Sequence, residues 1–142
     1  MARAGHDDAG SGWLLAGSLL GAAAVAGGAF GAHGLADVLA AAGHADTWET
    51  GARYAMHHAL ALVAVGLRGA SRGSSATLNA AGWCFLAGTL IFSGCLAALS
   101  LTGLRVLGAI VPIGGTLLIV GWLCLARDAA AAAAQSGSAS AC

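Results

Sequence analysis

"ADTWETGARYAMHHALALVAVGLRG", residues 45–69, decides how many times this chain crosses a membrane. Between Arg53 and Arg68 only the stretch 54–67 is free of formal charge, and it contains His57 and His58. A span needs about 20 apolar residues to cover about 30 Å of hydrocarbon, so hydropathy alone leaves this stretch short. Its flanks lengthen it. Asp46 with Glu49 three residues on fits a capping box with Asp46 as N-cap, and Glu49 stands one turn before Arg53 as an i, i+4 ion pair. A helix over 46–67 is about 33 Å long at 1.5 Å per residue. Its first two turns then lie at headgroup level, with Trp48 and Tyr54 as interfacial anchors.

The surroundings say why a membrane is the right frame. Of 142 residues 8% are charged and 58% hydrophobic, and mean hydropathy is +0.82, whereas soluble domains carry about a quarter charged residues. No formal charge occurs over 9–32, 73–104 or 106–126. With 46–67 this predicts an all-α membrane protein, a four-transmembrane-helix bundle with helices at about 12–33, 46–67, 76–100 and 105–127. "LADVLAAAG" (35–43) places Leu35, Val38, Leu39 and Ala42 on one face, as in a short interfacial helix between the first two spans. Residues 1–127 read as one domain. Residues 128–142 are a low-complexity tail, a frayed extension of the last helix that then becomes disordered.

A secretory signal peptide ending at "AVA" (24–26) is the competing reading of the first span. Arg3 against Asp7 and Asp8 makes a poor positive region for one, and cleavage would leave three helices starting inside a glycine-rich run. With four crossings, Arg3, Arg68, Arg72 and Arg127 share one face with both termini, while Arg53 and Arg105 share the other; there is no lysine. The positive-inside rule predicts cytoplasmic termini.

Gly17, Gly21, Ala24, Gly28 and Gly31 recur at intervals of four and three, leaving one stripe of the first span almost without side chains. Such stripes let backbones approach in lipid. The expected partner is the third or fourth span of the same chain; a dimerisation face is the alternative. Pro112, the only proline, lacks an N–H and crowds the carbonyl of Gly108, so a kink is expected there, with Ser93 or Thr116 as donor to the freed carbonyl.

Threading the chain through four crossings gathers the unusual residues at the outer interface. His33 ends the first span, Arg53, Tyr54, His57 and His58 open the second, and Ser93 lies towards the end of the third. Ionisable groups in a membrane face the bundle or a cavity, so His33, Arg53, Tyr54, His58 and Ser93 form the candidate polar cluster. Tyr54 and His58 share a face and His57 points elsewhere. One arrangement turns His58 inward towards Tyr54 and His33, with His57 nearer lipid headgroups or a partner. His33 would then close hydrogen bonds at its helix end and to Tyr54 or His58, and Gly34 would stop the helix.

"GAFGAHGL" (28–35), "ARYAMHHALAL" (52–62), "IFSG" (91–94), "PIGG" (112–115) and "GW" (121–122) resemble, in order and spacing, the YgdD/transmembrane protein 256 family. The resemblance covers about residues 12–127. It implies a small four-helix inner-membrane protein, catalogued as a domain of unknown function, and supplies no reaction. The family pattern carries over to Gly28, Phe30, Gly31, His33, Gly34, Tyr54, His58, Phe92, Ser93, Gly94, Pro112, Gly114 and Gly115. The chain departs from it at His57, Cys95, Ala97 and Val111, so His57 belongs less to any family-wide site than His58.

Other chemistries find little support. A b-type haem on His33 and His58 would need an imidazole on each side of the ring, and both lie near one interface. A metal site wants three or four ligands. Cys84, Cys95, Cys124 and Cys142 stand singly, as small hydrophobes. Six dispersed arginines and zero net charge exclude a nucleic-acid partner. The expectation is therefore no enzyme, cofactor or metal. The leading reading is an accessory, packing or assembly subunit that works within the lipid bilayer beside other membrane subunits or by self-association. The alternatives are a small transporter or channel component and a histidine-based cofactor binder.

Overall fold

The computed structural model describes the backbone of residues 7–139 and the side chains of 10–135; Arg3 and Cys142 lie outside the described residues. Five helices run in order: α1 Asp7–His33, α2 Ala36–Ala42, α3 Ala45–Arg72, α4 Ala76–Thr102 and α5 Val106–Ala139, with no strand among the described residues. Among the described residues three segments are long and apolar enough to cross a membrane: Gly10–His33, Ala76–Thr102 and Val106–Gln135. At 28 residues α3 is long enough but carries five charges, and it does not reach that apolarity.

Several helix ends differ from the sequence reading. The residue before α3 is His44, with no side-chain cap, so Asp46 sits inside the first turn instead of capping it. There it still faces the positive end of the helix dipole. The Glu49–Arg53 pair forms at 2.5 Å, both side chains more than half exposed, which makes it worth little. At its other end α3 continues past residue 67 to Arg72, and the expected loop shrinks to Gly73, Ser74 and Ser75. Ser75 caps α4 by accepting the Leu78 N–H at 2.9 Å. The last helix passes through Pro112 and on to Ala139, so Asp128 lies within it. His33 does end α1, but Gly34 is not in a left-handed conformation. Its missing Cβ instead leaves room for the Phe30 ring, 2.7 Å from where that atom would be.

The long helices pack as antiparallel neighbours, α1 along α3, α3 along α4 and α4 along α5. Residue pairing along α1 and α3 runs in opposite order over almost the whole of α1: Gly10 meets Ala70, Gly17 meets Val63, and Gly31 meets Trp48. This corrects the expected partner of the glycine stripe, which packs within the chain but against α3. A Cβ on Gly17 would stand 2.8 Å from the Ala59 carbonyl, and one on Gly66 would stand 2.6 Å from the Leu14 nitrogen. Gly21 meets only Ala59 Cβ at 3.7 Å, and Gly28 faces open space. The close seam is therefore made by Gly10 and Gly17 against Gly66 and Gly69, three of which the stripe did not include. Where lipid removes most of the hydrophobic drive, such backbone approach is what holds a helix pair.

The most polar of the long helices is the most enclosed. Ala61, Leu62 and Val65 of α3 are buried, and with Leu78, Ala81, Phe85 and Leu118 they bring α3, α4 and α5 together in the core, while the buried Ala59 meets α1. Trp13 of α1 covers this core from the other side, lying over Gly82 and donating its indole N–H to Asn79 Oδ1 at 3.0 Å. Leu15, Leu19, Trp83, Leu90, Ile113 and Leu123 are exposed on α1, α4 and α5, as are Leu60 and Leu67 on the outer side of α3.

Candidate functional site

The site is built from the glycines of α4 and α5. A Cβ on Gly114 would be 2.6 Å from the Phe92 nitrogen and 2.9 Å from the Gly88 carbonyl, so the two backbones touch there. That contact sets Phe92 against Tyr54, stacked at 4.6 Å. One turn on along α3, His58 is 4% exposed. Its ring lies 5.8 Å from Phe85, 5.9 Å from Tyr54 and 6.3 Å from Trp122. "ARYAMHH", "IFSG", "PIGG" and "GW" thus converge on one aromatic junction.

Partners decide the state of His58. Nδ1 is 2.8 Å from the Tyr54 carbonyl, which can only accept, so Nδ1 carries the proton and donates. The Trp122 indole N–H can only donate, and it points at Nε2 at 3.4 Å, a long contact. Both nitrogens of a neutral imidazole are engaged. A ligand could take Nε2 only by displacing Trp122. Beside it a groove of about 460 Å³ opens outward, lined by Tyr54, His57, Phe92, Ile119 and Trp122. His57 is exposed and His58 buried, as in the inward arrangement read from the sequence.

The rest of the expected cluster comes apart. Arg53 turns out to Glu49. His33 is exposed at the end of α1, about 18 Å along the bundle from His58 at 1.5 Å per residue. Among the described residues it makes no side-chain hydrogen bond, so it does not reach Tyr54 or His58. The cause is the register of α1, which packs on the Ala59–Val63–Gly66 stripe of α3 while Tyr54 and His58 face α4 and α5. Ser93 lies on the wall of a different, apolar cavity of about 180 Å³, lined also by Leu20, Trp48, Gly51 and Ala55. Its hydroxyl is buried without a partner. Thr116 donates to the Pro112 carbonyl at 2.8 Å, so neither expected donor serves Gly108. Gly108 instead faces Leu99, whose Cδ2 would stand 3.9 Å from an added Cβ, an ordinary contact. Among the described residues no three His, Cys, Asp or Glu side chains form a set able to hold a metal, and Cys84, Cys95 and Cys124 are free, half-buried thiols.

A second polar centre was missed from the sequence. Arg68 Nε donates to Asp128 Oδ2 at 2.6 Å and its Nη2 to the Asp128 carbonyl at 3.1 Å. Ser75 Oγ donates to Asp128 Oδ1 at 2.6 Å while accepting from Leu78. The side chains are 22% and 12% exposed, so the node is largely enclosed and ties α3, the α3–α4 turn and α5 together. A signal existed. Asp128 is the only acid after Glu49, and it closes an apolar helix at the end where Arg68 also falls.

The comparisons agree with the motifs. The family described as "Protein of unknown function (DUF423)" matches residues 27–115. A UPF0382 membrane protein of Staphylococcus saprophyticus is 45% identical over 113 residues, 80% of this chain and 92% of that protein. The UPF0382 membrane protein YwdK of Bacillus subtilis is 38% identical over 111 residues, 78% and 89% of the two chains. No solved structure matches. The chain therefore belongs to the DUF423 (UPF0382) family of membrane proteins of unknown function, consistent with the resemblance carried by its helix motifs.

Proposed function

We propose that the chain is a non-enzymatic, four-pass protein of a bacterial inner membrane that serves as a packing or assembly subunit of a larger membrane complex. The fourth crossing is α3. It runs beside α1 from Trp48 to Ala70, so a bilayer that takes in α1 also takes in α3; His58 in its middle is buried, while the exposed Glu49, Arg53 and Arg72 fall towards its two ends. In this reading α2 lies at the interface. The termini and the α3–α4 turn face the cytoplasm with Arg68, Arg72 and Arg127.

The observation that carries the subunit role is unused packing surface. Gly12, Gly27 and Gly28 of α1 and Gly94 of α4 have nothing within 4 Å of a built Cβ, while glycines on the inner faces are filled by neighbouring helices. The connectors between helices are two or three residues long, which leaves function to the lateral faces. The two alternatives, transporter component and histidine-based cofactor binder, have no matching observation, since His33, Arg53 and His58 lie apart and His58 is engaged on both nitrogens.

Extraction in a gentle detergent tests the role: a stoichiometric membrane partner is expected to copurify, and a lone monomer sinks it. Thiol labelling of single cysteines placed at Ser74 and Thr102 in intact cells tests the topology. Labelling of Thr102→Cys alone by an impermeant reagent is expected; labelling of both positions overturns it.

A further inference from the structure

We propose that the cavity at the α3–α4 turn binds the phosphate of an anionic phospholipid headgroup. The cavity measures about 700 Å³ and is walled by Arg68 and Arg72 at the end of α3, Ser74 and Thr77 around the turn, and Arg127 on α5. Three arginines meet one acid there, and that acid is already engaged. Asp128 spends both carboxylate oxygens on Arg68 and Ser75. Arg72 and Arg127 are exposed, and among the described residues neither has an ion-pair partner; the Ser74 and Thr77 hydroxyls likewise have none. Two unpaired guanidinium groups and two hydroxyl donors around a polar cavity fit the two non-bridging oxygens of a phosphodiester, which a guanidinium group can bind in bidentate fashion.

Depth and neighbours identify the source of that phosphate as lipid. The cavity lies where the apolar segments starting at Gly10 and Ala76 begin, hence at headgroup level. Ile119, Leu123 and Arg127 follow one another at i, i+4 along α5, and the two apolar members are 63% and 65% exposed. A phosphate at Arg127 thus sits at the head of an apolar track along which acyl chains can lie. Basic pockets at the cytoplasmic ends of membrane helices take anionic headgroups for these reasons. The inference goes beyond the subunit role and needs no partner, so either can fail alone.

Native mass spectrometry of the detergent-solubilised full chain, titrated with phosphatidylglycerol or phosphatidylcholine, tests it. Phosphatidylglycerol is expected to be retained in preference. Arg72→Gln and Arg127→Gln are each expected to weaken it about fivefold, and the double variant about 25-fold. Arg105→Gln, in the α4–α5 turn at the opposite end, is expected to leave it unchanged. Should the double variant melt early, the two single variants carry the test, since both side chains are exposed and stand outside the Asp128 node. Equal retention of both lipids, or retention by the double variant equal to the parent, overturns the proposal. Displacement of phosphatidylglycerol by millimolar inorganic phosphate overturns the lipid source in favour of a soluble anion.

Discussion

The junction around His58 and the node around Asp128 are both polar centres enclosed by apolar helices, yet they are held in opposite ways. His58 is served mostly by its own helix, through the Tyr54 carbonyl one turn back at 2.8 Å, with Trp122 as a distant second partner. Asp128 is served only from elsewhere, by Arg68 sixty residues away and by Ser75. The first centre is neutral and depends on helix packing to keep its rings together. The second is charged and itself does the tying. Glycine approach is therefore expected to matter most at the junction and charge compensation at the node.

The sharpest way to break this contrast is Gly114→Val. The added atoms would strike the Phe92 and Gly88 backbones, which cannot rotate aside, and a loss of about 3 kcal/mol is expected in detergent-denaturation experiments. Gly115→Ala, whose Cβ would meet only the Phe92 ring at 3.7 Å, is the matched control and should cost under about 1 kcal/mol. Equal losses at both would show that α4 and α5 do not touch as described.

Next in size is Asp128→Ala. It leaves Arg68 largely enclosed with no counter-ion, and about 2–3 kcal/mol is expected, between the values for exposed and fully buried pairs. A double-mutant cycle with Arg68→Ala should recover most of that loss. A silent Asp128→Ala would reduce the node to a solvated surface pair.

His58→Phe keeps the ring stack but leaves the Trp122 N–H without its acceptor, and about 1 kcal/mol is expected. With Trp13, Trp48 and Trp83 replaced by phenylalanine, the Trp122 emission should shift to the blue. A loss well above 2 kcal/mol would mean that the imidazole does more than fill and bond. Gly28→Ala has the smallest expected effect, within about 0.5 kcal/mol, because nothing lies within 4 Å of the new Cβ. If Gly28→Leu nonetheless removes a copurifying partner, the open face of α1 is the docking face.

Much of this was legible in the residues. The charge-free runs located α1, α4 and α5, and the flanks of 54–67 extended a fourth long helix where hydropathy alone fell short. Tyr54 and His58 were placed on one face by helical geometry, and His57 on another. What stayed hidden was which face meets which neighbour. Position along the chain draws His33 and Ser93 to His58, yet one ends α1 on the far side of α3 and the other lines a separate cavity with Leu20 and Trp48. By its residues alone, the chain from 128 onward reads as a fraying tail. Asp128 looked like its first residue only because its partners are remote in sequence.

Helicity, the three apolar spans and the motif positions follow from the sequence by itself, because each depends on local composition and on the 3.6-residue period. The pairing of α1 with α3, the breakup of the outer cluster, and the capture of Asp128 by Arg68 and Ser75 were decided only in the tertiary structure. Helices that are apolar all round carry no stripe to say which side faces inward. In lipid, the choice of neighbour falls to close backbone approach and to the few polar groups that must find each other.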